Sequence, residues 1–350
     1  MESFCKNLPK IELHAHINGS ISNSTMNKLI ELKRQKDAQF SVEQWMTCIG
    51  KGEKRSLEEC FKMFKLIHQI SDNADAVYMI TKDVIREFAE DGVKYLELRS
   101  TPREVSTNNM TKRQYVESVI KAINECQSDD NLDIIVRLIL AIDRRNDIQV
   151  ALDTVNLAAE FKQLSQGIVV GVDMSGDPSV GDARSLIPAF EEARKHGLKL
   201  ALHLAEVPNK NTETEALLDE FTDRIGHGTF LLPEDGGSEA ILKTVVDKSI
   251  PLELCLTSNV KGQTVKSFDI HHFKFWYERN HPCVICTDDK GVFATSLSTE
   301  YQIAATAFSL SKKQLWELSQ SSIDCIFSGD DIKLHLRQKF DNIKNQLVFD

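Results

Sequence analysis

The sequence lacks the features that would place the protein in a membrane or in a secreted compartment. No apolar run approaches the roughly 20 residues that span a bilayer. Residues 1–9 do not show the basic-then-apolar pattern of a signal peptide. The eight cysteines are scattered through 350 residues, as is usual for reduced cytosolic thiols. These absences predict a cytoplasmic, cytosolic protein with no membrane partner.

The sequence also has fewer basic than acidic residues. The chain has 42 lysines and arginines against 52 aspartates and glutamates, so its net charge is −10. Such a balance argues against a surface that binds a nucleic-acid polymer. A small anionic ligand held by one or two local cations remains compatible with it.

The one close cysteine pair does not form a recognisable redox or metal motif. Cys283 and Cys286 lie in a stretch that is typical of a strand. Residues three apart on a strand face opposite sides of the sheet, so the two thiols are not expected to share a metal ion or a disulfide. The helix start that a thioredoxin-like motif requires is absent as well.

The residues that are present alternate between strand and helix patterns. Strands are predicted at 11–17, 93–99, 134–142, 168–174, 198–204, 224–226, 251–256 and 283–287. Several are continuous apolar runs, as expected of strands covered on both faces. Helical patterns are predicted between them, near 111–126, 147–164, 183–196, 212–220, 238–248 and 269–280.

Eight such repeats predict an α/β fold, a (β/α)8 TIM barrel. The alternative is a doubly wound open sheet, which usually has fewer strands and a glycine-rich first turn that this chain lacks. Extra helices are predicted in an insertion after the first strand, residues 18–92, and at the C-terminus, residues 297–347. We expect the insertion to lie over one end of the barrel. Residues 1–350 are interpreted as a single barrel domain.

Polar residues cluster where the predicted strands end. Barrel enzymes carry their chemistry at the C-terminal ends of the strands. His14 and His16 are two residues apart on the first strand, so their side chains point the same way. Together with residues at the ends of three other strands they form a candidate set at one rim: His14, His16, His203, His227 and Asp288.

Three imidazoles and a carboxylate around one divalent cation suit zinc, with a position left for water. Such a cation lowers the pKa of a bound water toward neutrality. Two-metal sites in comparable barrels commonly use an acid or a modified lysine on the fourth strand. Residues 168–174 contain no lysine, which favours one zinc ion per chain.

These residues lie in motifs that resemble the adenosine deaminase family of zinc-dependent barrel hydrolases, over nearly the whole chain. The motifs are His14-x-His16, Ser175-Gly176-Asp177, His203-x-x-Glu206, Gly226-His227-Gly228 and Thr287-Asp288-Asp289. The stretches 14–20, 96–103, 254–260 and 287–293 are more similar to the adenosine deaminase-like branch, the N6-methyl-AMP deaminases.

The resemblance implies roles for individual residues. The zinc ligands would be His14, His16, His203 and Asp288. Glu206 would donate a proton to purine N1, and His227 would act beside the metal as a base or an electrostatic anchor. The activity implied is hydrolytic deamination, in which water replaces the amine at C6 and leaves a 6-oxopurine. An N6-methyl substrate would release methylamine instead of ammonia.

The resemblance and the strand-end positions together give a set of substrate contacts. They are His16, Asn18, His68, Thr101, Pro102, Arg103, Asp143, Gly176 and Asp289. Within this set Asp289 would contact N7, and the backbone N–H of Gly176 would contact N3. Asp143 would hold a ribose hydroxyl or orient Arg103.

Two residues of that set favour a nucleotide substrate. The nucleoside-acting branch typically has aspartate at the position of Asn18, and asparagine removes a negative charge where a 5′-phosphate would approach. Arg103 follows the second strand and offers a planar fork for phosphate. These two residues predict a small purine nucleotide as substrate, and the resemblance implies deamination of N6-methyl-AMP to IMP, carried out by a monomer.

Two alternatives remain open from the sequence. One is an adenosine deaminase that acts on the free nucleoside, and the other is a non-catalytic ligand-binding relative. Four charged or polar sites near the predicted rim are given lesser roles. Arg144 and Arg145 are predicted to be surface residues, Lys290 to attract phosphate or pair with Asp177, and the pair His271-His272 to be structural.

Overall fold

The structure is a computed structural model that describes residues 1–42 and 57–349, with the side chains of 57–62 outside the described part. The middle of the predicted insertion therefore lies outside the described part of the chain. No helix in the two described ranges is both long enough and apolar enough to span a bilayer.

Eight parallel strands form one sheet in sequence order, which confirms the predicted barrel. They are β1 (Lys10–His16), β2 (Val93–Ser100), β3 (Ile135–Asp143), β4 (Val169–Ser175), β5 (Lys199–Leu204), β6 (Arg224–His227), β7 (Leu252–Leu254) and β8 (Cys283–Ile285). Almost every strand residue is buried, as the continuous apolar runs predict.

The barrel closes between its first and last strands, just past the end of β8. The N–H of Asp288 donates to the carbonyl of His14 at 2.8 Å, and the N–H of His16 donates to the carbonyl of Asp288 at 3.1 Å. This bridge pairs Ala15 with Asp288. Three candidate metal ligands therefore lie on the closing seam itself.

Helices alternate with the strands. They are α1 (Glu2–Asn7), α2 (Asn23–Lys36), α3 (Leu57–Ile70), α4 (Ala74–Glu90), α5 (Lys112–Gln127), α6 (Ile148–Leu164), α7 (Ile187–Lys195), α8 (Asn211–Leu218), α9 (Glu239–Asp247), α10 (Leu256–Lys261), α11 (Phe273–Glu278), α12 (Leu297–Phe308), α13 (Lys312–Ser321) and α14 (Asp330–Lys344). The predicted insertion corresponds to α2–α4 and the predicted C-terminal helices to α12–α14.

The structure departs from the predicted elements at the N-terminus and in the last two strands, of which the eighth ends at Ile285 rather than at 287. The helix α1 precedes β1 and was not predicted, because six residues are too few to show a helical period. The seventh predicted strand, 251–256, is too long, since the chain turns into α10 at Leu256. Thr257, Ser258 and Asn259 therefore lie on a short buried helix rather than in a loop after a strand.

A fully buried charge network links three strands beneath the strand ends. Arg99 donates to Glu253 at 2.8 Å, and the Nε of Arg224 donates to the other oxygen of Glu253 at 2.7 Å. Arg224 also donates to Glu97. Burial alone would raise the pKa of Glu253, but the two guanidinium groups outweigh it and hold that pKa well below its usual range.

Candidate active site

A cavity of about 500 Å³ opens at the C-terminal ends of the strands, a size usual for small-molecule sites. All of the predicted substrate contacts line it: His16, Asn18, His68, Thr101, Pro102, Arg103, Asp143, Gly176 and Asp289. Glu206, His203, His227 and Asp288 line it as well, and His14 is fully buried beside them. Helix α3 contributes Phe64 and His68 to the wall, as expected of an insertion that covers the barrel mouth.

The four predicted metal ligands converge at the bottom of this cavity. The Nε2 of His16 lies 3.3 Å from Asp288 Oδ1 and 3.4 Å from His203 Nε2. The Nε2 of His14 lies 3.4 Å from the same Asp288 oxygen. The Nε2 of His227 is farther out, 3.8 Å from Asp288 Oδ2.

These separations fit a metal ion. A tetrahedral centre with bonds of about 2.0–2.1 Å holds its ligand atoms about 3.3–3.4 Å apart. The Nε2 of His14 is buried and has no hydrogen-bond partner among the described residues. Burial and Arg99 would lower the pKa of His14, but Asp288 and Glu253 raise it to about 9, so the site stabilises positive charge at that ring. The donor set of three imidazoles and one carboxylate matches a divalent cation.

Buried carboxylates orient two of these histidines from behind. The Nδ1 of His14 hydrogen-bonds Glu253 at 2.7 Å, and the Nδ1 of His203 hydrogen-bonds Asp173 at 2.9 Å. A proton on Nδ1 leaves each Nε2 lone pair free to face a metal. Arg99 bonds Glu253 and lies 3.4 Å from Asp173, so one guanidinium holds both carboxylates.

The ends of β6 and β8 adopt backbone conformations that are rare for residues other than glycine. His227 has φ 62° and Asp288 has φ 59°. Left-handed backbone of this kind costs free energy at a non-glycine residue and is concentrated at functional sites. The hydroxyl of Ser258 on α10 donates to Asp288 Oδ2 at 2.7 Å, and it helps to fix that carboxylate.

Two further carboxyl groups reach into the cavity with a free oxygen each. Glu206 Oε2 and Asp289 Oδ1 are buried, and neither has a hydrogen-bond partner within the described ranges. Burial raises the pKa of Glu206 to about 7. Burial and the neighbouring Asp288 raise the pKa of Asp289 well above its usual value. Both groups can therefore hold a proton more readily than an exposed acid.

Glycine at position 19 makes room for one of these acids. A Cβ at Gly19 would lie 1.5 Å from Asp289 Oδ1, a separation no side chain can tolerate. The carbonyl of Gly19 also accepts hydrogen bonds from the N–H groups of Gly291 and Val292. The loop after β1 thus packs directly against the loop after β8 and sets the position of Asp289.

The outer part of the cavity is lined by basic side chains. They are His68, Arg103, Lys112 and Arg145. Arg103 donates to the carbonyl and the hydroxyl of Ser71 at 2.8 and 2.7 Å, which fixes its guanidinium after α3, while its Nε has no partner in the described part of the chain. Asn18 also lines the cavity and is held by a 3.4 Å hydrogen bond to the hydroxyl of Tyr115.

One of the two expectations about the adjacent arginines after β3 was wrong. Arg144 is buried and binds both oxygens of Glu213 at 2.7 Å, so it is not a surface residue. Arg145 is exposed, as predicted, and it also lines the cavity and bonds Asp143 at 2.8 Å. The hydrogen bonds of Asp143 therefore run to Arg145 and not to Arg103.

Lys290 does not take either predicted role. It pairs with Glu87 on α4, and its ammonium also lies over the ring of Phe88. Glu87 belongs to the insertion. The sequence does not reveal that the insertion packs against the loop after β8. Lys290 is therefore a link between these two segments.

The residues that orient the histidines were not recognised from the sequence. They are Asp173, Glu253 and Arg99, and each lies inside a predicted strand. A charged residue in an otherwise apolar strand was the available signal, because such a residue is rarely buried without a partner. Which residues pair with each other depends on strand neighbours that are far apart in the chain.

Comparison with known proteins agrees with this geometry. The family model described as adenosine deaminase matches residues 9–343. The chain belongs to the adenosine deaminase family. It is 54% identical to the N6-methyl-AMP deaminase of Homo sapiens over 99% of this chain and 96% of the relative. It is 52% identical to the N6-methyl-AMP deaminase of Danio rerio over 99% and 98%, respectively.

A solved structure is similar over the same length. It is the crystal structure of Arabidopsis ADAL complexed with IMP, which is 40% identical, with a TM-score of 0.89, over 99% of this chain and 100% of that one. As a member of the adenosine deaminase family, the chain is an aminohydrolase. At its barrel rim the ligand atoms of His14, His203, His227 and Asp288 lie within 4.8 Å of one another, a group that could hold a metal ion.

Proposed function

We propose that this chain is a zinc-dependent hydrolase that converts N6-methyl-AMP and water to IMP and methylamine. The observation that carries the proposal is the cavity itself. A metal-ligand cluster and the free carboxyl of Glu206 lie at its bottom, and Arg103 lies in its wall toward the mouth. The printed names of the relatives in Homo sapiens and Danio rerio support the same substrate.

The zinc ligands in this proposal are His14, His16, His203 and Asp288. Their donor atoms and mutual distances suit a single ion, as described above. Zinc bound there would activate water as a nucleophile near neutral pH. Glu253 and Asp173 hydrogen-bond Nδ1 of His14 and His203, so that Nε2 of each ring faces the ion.

Glu206 supplies the proton that the purine ring needs during the reaction. Addition of the water oxygen at C6 breaks the aromaticity of the purine ring and places negative charge on N1. The free carboxyl of Glu206 protonates N1 and relieves that charge, which is general acid catalysis. Asp289 binds N7 and the backbone N–H of Gly176 binds N3, so the base is held in one orientation.

The mouth of the cavity selects the 5′-phosphate. The partner-free Nε of Arg103 and the nearby ring of His68 face the same space, and Thr101 and Pro102 shape its wall. Arg145 adds a guanidinium there, with Asp143 as its anchor. Asn18 leaves this region without the negative charge that an aspartate would bring.

A substrate panel tests the proposal. Purified protein is assayed on N6-methyl-AMP, AMP and adenosine, with the 6-oxopurine followed by absorbance and the released amine measured separately. We expect kcat/KM to be highest for N6-methyl-AMP and lowest for the nucleoside. Turnover of adenosine far above that of the nucleotides would establish a nucleoside deaminase instead.

Metal analysis tests the cofactor. We expect elemental analysis of the purified protein to give one zinc per chain. Treatment with a chelator should abolish turnover, and added zinc should restore it, because neutral imidazoles and one carboxylate suit this ion. Full activity in metal-free protein would contradict the zinc assignment.

The substitution Arg103→Ala tests the phosphate contact. Loss of a hydrogen-bonded charge costs about 1.5–3 kcal/mol, so we expect KM for N6-methyl-AMP to rise about 10- to 100-fold. The KM for the matching nucleoside should change little. Arg184→Ala is the control, since Arg184 pairs with Asp182 on the surface away from the cavity. Equal effects on nucleotide and nucleoside would remove Arg103 from the phosphate site.

We also propose that the chain acts as a single-domain monomer in the cytosol. The six described cysteines are free and buried, which agrees with a reducing compartment. Every contact proposed for the substrate comes from one copy of the chain.

A further inference from the structure

Two adjacent histidines, His271 and His272, lie directly behind His227. Their rings are stacked with centroids 4.1 Å apart, and both side chains are buried. Each contacts the His227 region by a separate route. The Nε2 of His272 donates to the carbonyl of His227 at 2.9 Å, while His271 reaches the ring of His227 through Asn259.

The hydrogen bond that His271 accepts from Phe273 decides which ring nitrogen of His271 carries the proton. The backbone N–H of Phe273 donates to His271 Nδ1 at 3.0 Å. A backbone amide can only donate, so Nδ1 of this ring carries no proton. Burial also keeps the pKa of His271 well below its usual value. A neutral ring must then carry its single proton on Nε2.

This proton fixes the orientation of the Asn259 amide. The Nε2 of His271 lies 3.0 Å from Asn259 Oδ1, which accepts the hydrogen bond. The reversed amide would place an N–H against that nitrogen, and His271 would then have no proton at all. The choice between oxygen and nitrogen, usually ambiguous for asparagine, is therefore decided by Phe273.

The amide nitrogen in turn decides the tautomer of His227. Asn259 Nδ2 lies 3.3 Å from His227 Nδ1, and the hydroxyl oxygens of Thr229 and Thr264 lie at 3.3 and 3.2 Å from the same nitrogen. The amide nitrogen has two N–H groups for these three neighbours and cannot accept a hydrogen bond, so a proton on His227 Nδ1 would face a donor and Nδ1 must be bare. The proton of His227 is then on Nε2, which lies 3.8 Å from both Glu206 Oε1 and Asp288 Oδ2.

We propose that Asn259 and His271 are positioning residues that hold His227 as a neutral ring protonated on Nε2, so that His227 donates a hydrogen bond into the reaction site and does not accept a proton there. This inference rests on the proposed deaminase function and decides between the two roles, base or electrostatic anchor, in favour of the anchor. The chain of donors runs from Phe273 through His271 and Asn259 to His227. His272 holds the same residue by its carbonyl.

The tautomer can be read without any variant. Protein labelled with ¹⁵N-histidine and loaded with zinc is examined by long-range ¹H–¹⁵N correlation spectroscopy, and His227→Gln assigns the signals. We expect Nδ1 of His227 to show the shift of a bare nitrogen and Nε2 that of a protonated one. A protonated Nδ1 would overturn the proposal.

The variant Asn259→Asp should reverse the tautomer. A carboxylate can only accept, so it draws the His227 proton to Nδ1 while still accepting from His271. We expect kcat for N6-methyl-AMP to fall about 100-fold, in the range of a lost proton-positioning group, with KM changed less than about threefold. Asn124→Asp, on the exposed face of α5, is the matched control. An unchanged tautomer, or an unchanged kcat, would exclude Asn259 as a positioning residue.

A second pair of variants tests His271. In His271→Leu the donor to Asn259 is lost, whereas in His271→Gln an amide N–H can replace it. We expect kcat to fall at least about tenfold in the leucine variant and to be largely restored in the glutamine variant. Equal losses in both would contradict the relay. Protein that is inactive on every nucleotide but has a bare Nδ1 at His227 would contradict the deaminase function while supporting the relay.

Discussion

Glu206→Gln is expected to lower kcat for N6-methyl-AMP by about 10²–10⁴-fold, the usual contribution of a general acid. Glutamine keeps the shape of the side chain but holds no acidic proton for N1. The carboxyl oxygen Oε2 is buried, faces the cavity and is without a protein partner in the described ranges, so little else should depend on it. We therefore expect KM, zinc content and unfolding free energy to stay close to those of the wild type.

Steady-state kinetics with saturating N6-methyl-AMP measures this loss, and elemental analysis checks that zinc is retained. Glu220→Gln is the control, because Glu220 is exposed between α8 and β6. A kcat within tenfold of the wild type would mean that another group protonates N1. A large rise in KM with kcat unchanged would instead make Glu206 a binding residue.

Glu253→Gln is expected to have the largest effect on stability. It removes the carboxylate charge that bonds both Arg99 and Arg224, and a buried ion pair that loses one partner costs about 3–5 kcal/mol. That is a large fraction of the roughly 5–15 kcal/mol that stabilises a typical protein. The amide can also present an N–H to His14 Nδ1, so we expect zinc affinity to fall about 10- to 100-fold.

Urea unfolding measures the first effect and zinc release to a competing chelator measures the second. Glu278→Gln is the matched control, because Glu278 lies 4.0 Å from Lys274 on an exposed helix face and such pairs contribute little. Similar unfolding free energies for both variants would contradict the importance of the buried network. Lower stability with unchanged zinc affinity would show that the buried charge network stabilises the fold but does not support zinc binding.

The fold was predictable because its signal is local. Continuous apolar strands alternate with amphipathic helices. Eight such strand–helix repeats define the barrel. The rim residues followed from the strand ends, since a parallel barrel brings all of these ends to one face. His14, His203 and Asp288 could thus be grouped from the sequence, although nearly the whole chain separates them.

What the sequence did not reveal depends on side-chain direction and on distant partners. Arg144 and Arg145 are adjacent, yet one is buried against Glu213 and the other lines the cavity. The turn after β3 points the two side chains in different directions. Asn259 lies on α10, a helix that the sequence pattern did not predict, and this position brings its amide to His227. Neither result follows from periodicity or from spacing.

The seam between β1 and β8 has a consequence for biosynthesis. The ribosome releases the first strand early, and its hydrogen-bonding edge toward β8 stays unpaired until the last strand emerges. An open strand edge is prone to pairing with other chains, so nascent copies are most exposed to misassembly during this interval. Asp288 ends the interval, since its backbone bonds both His14 and His16. Completion of the barrel and completion of the metal cluster are therefore the same late event in synthesis.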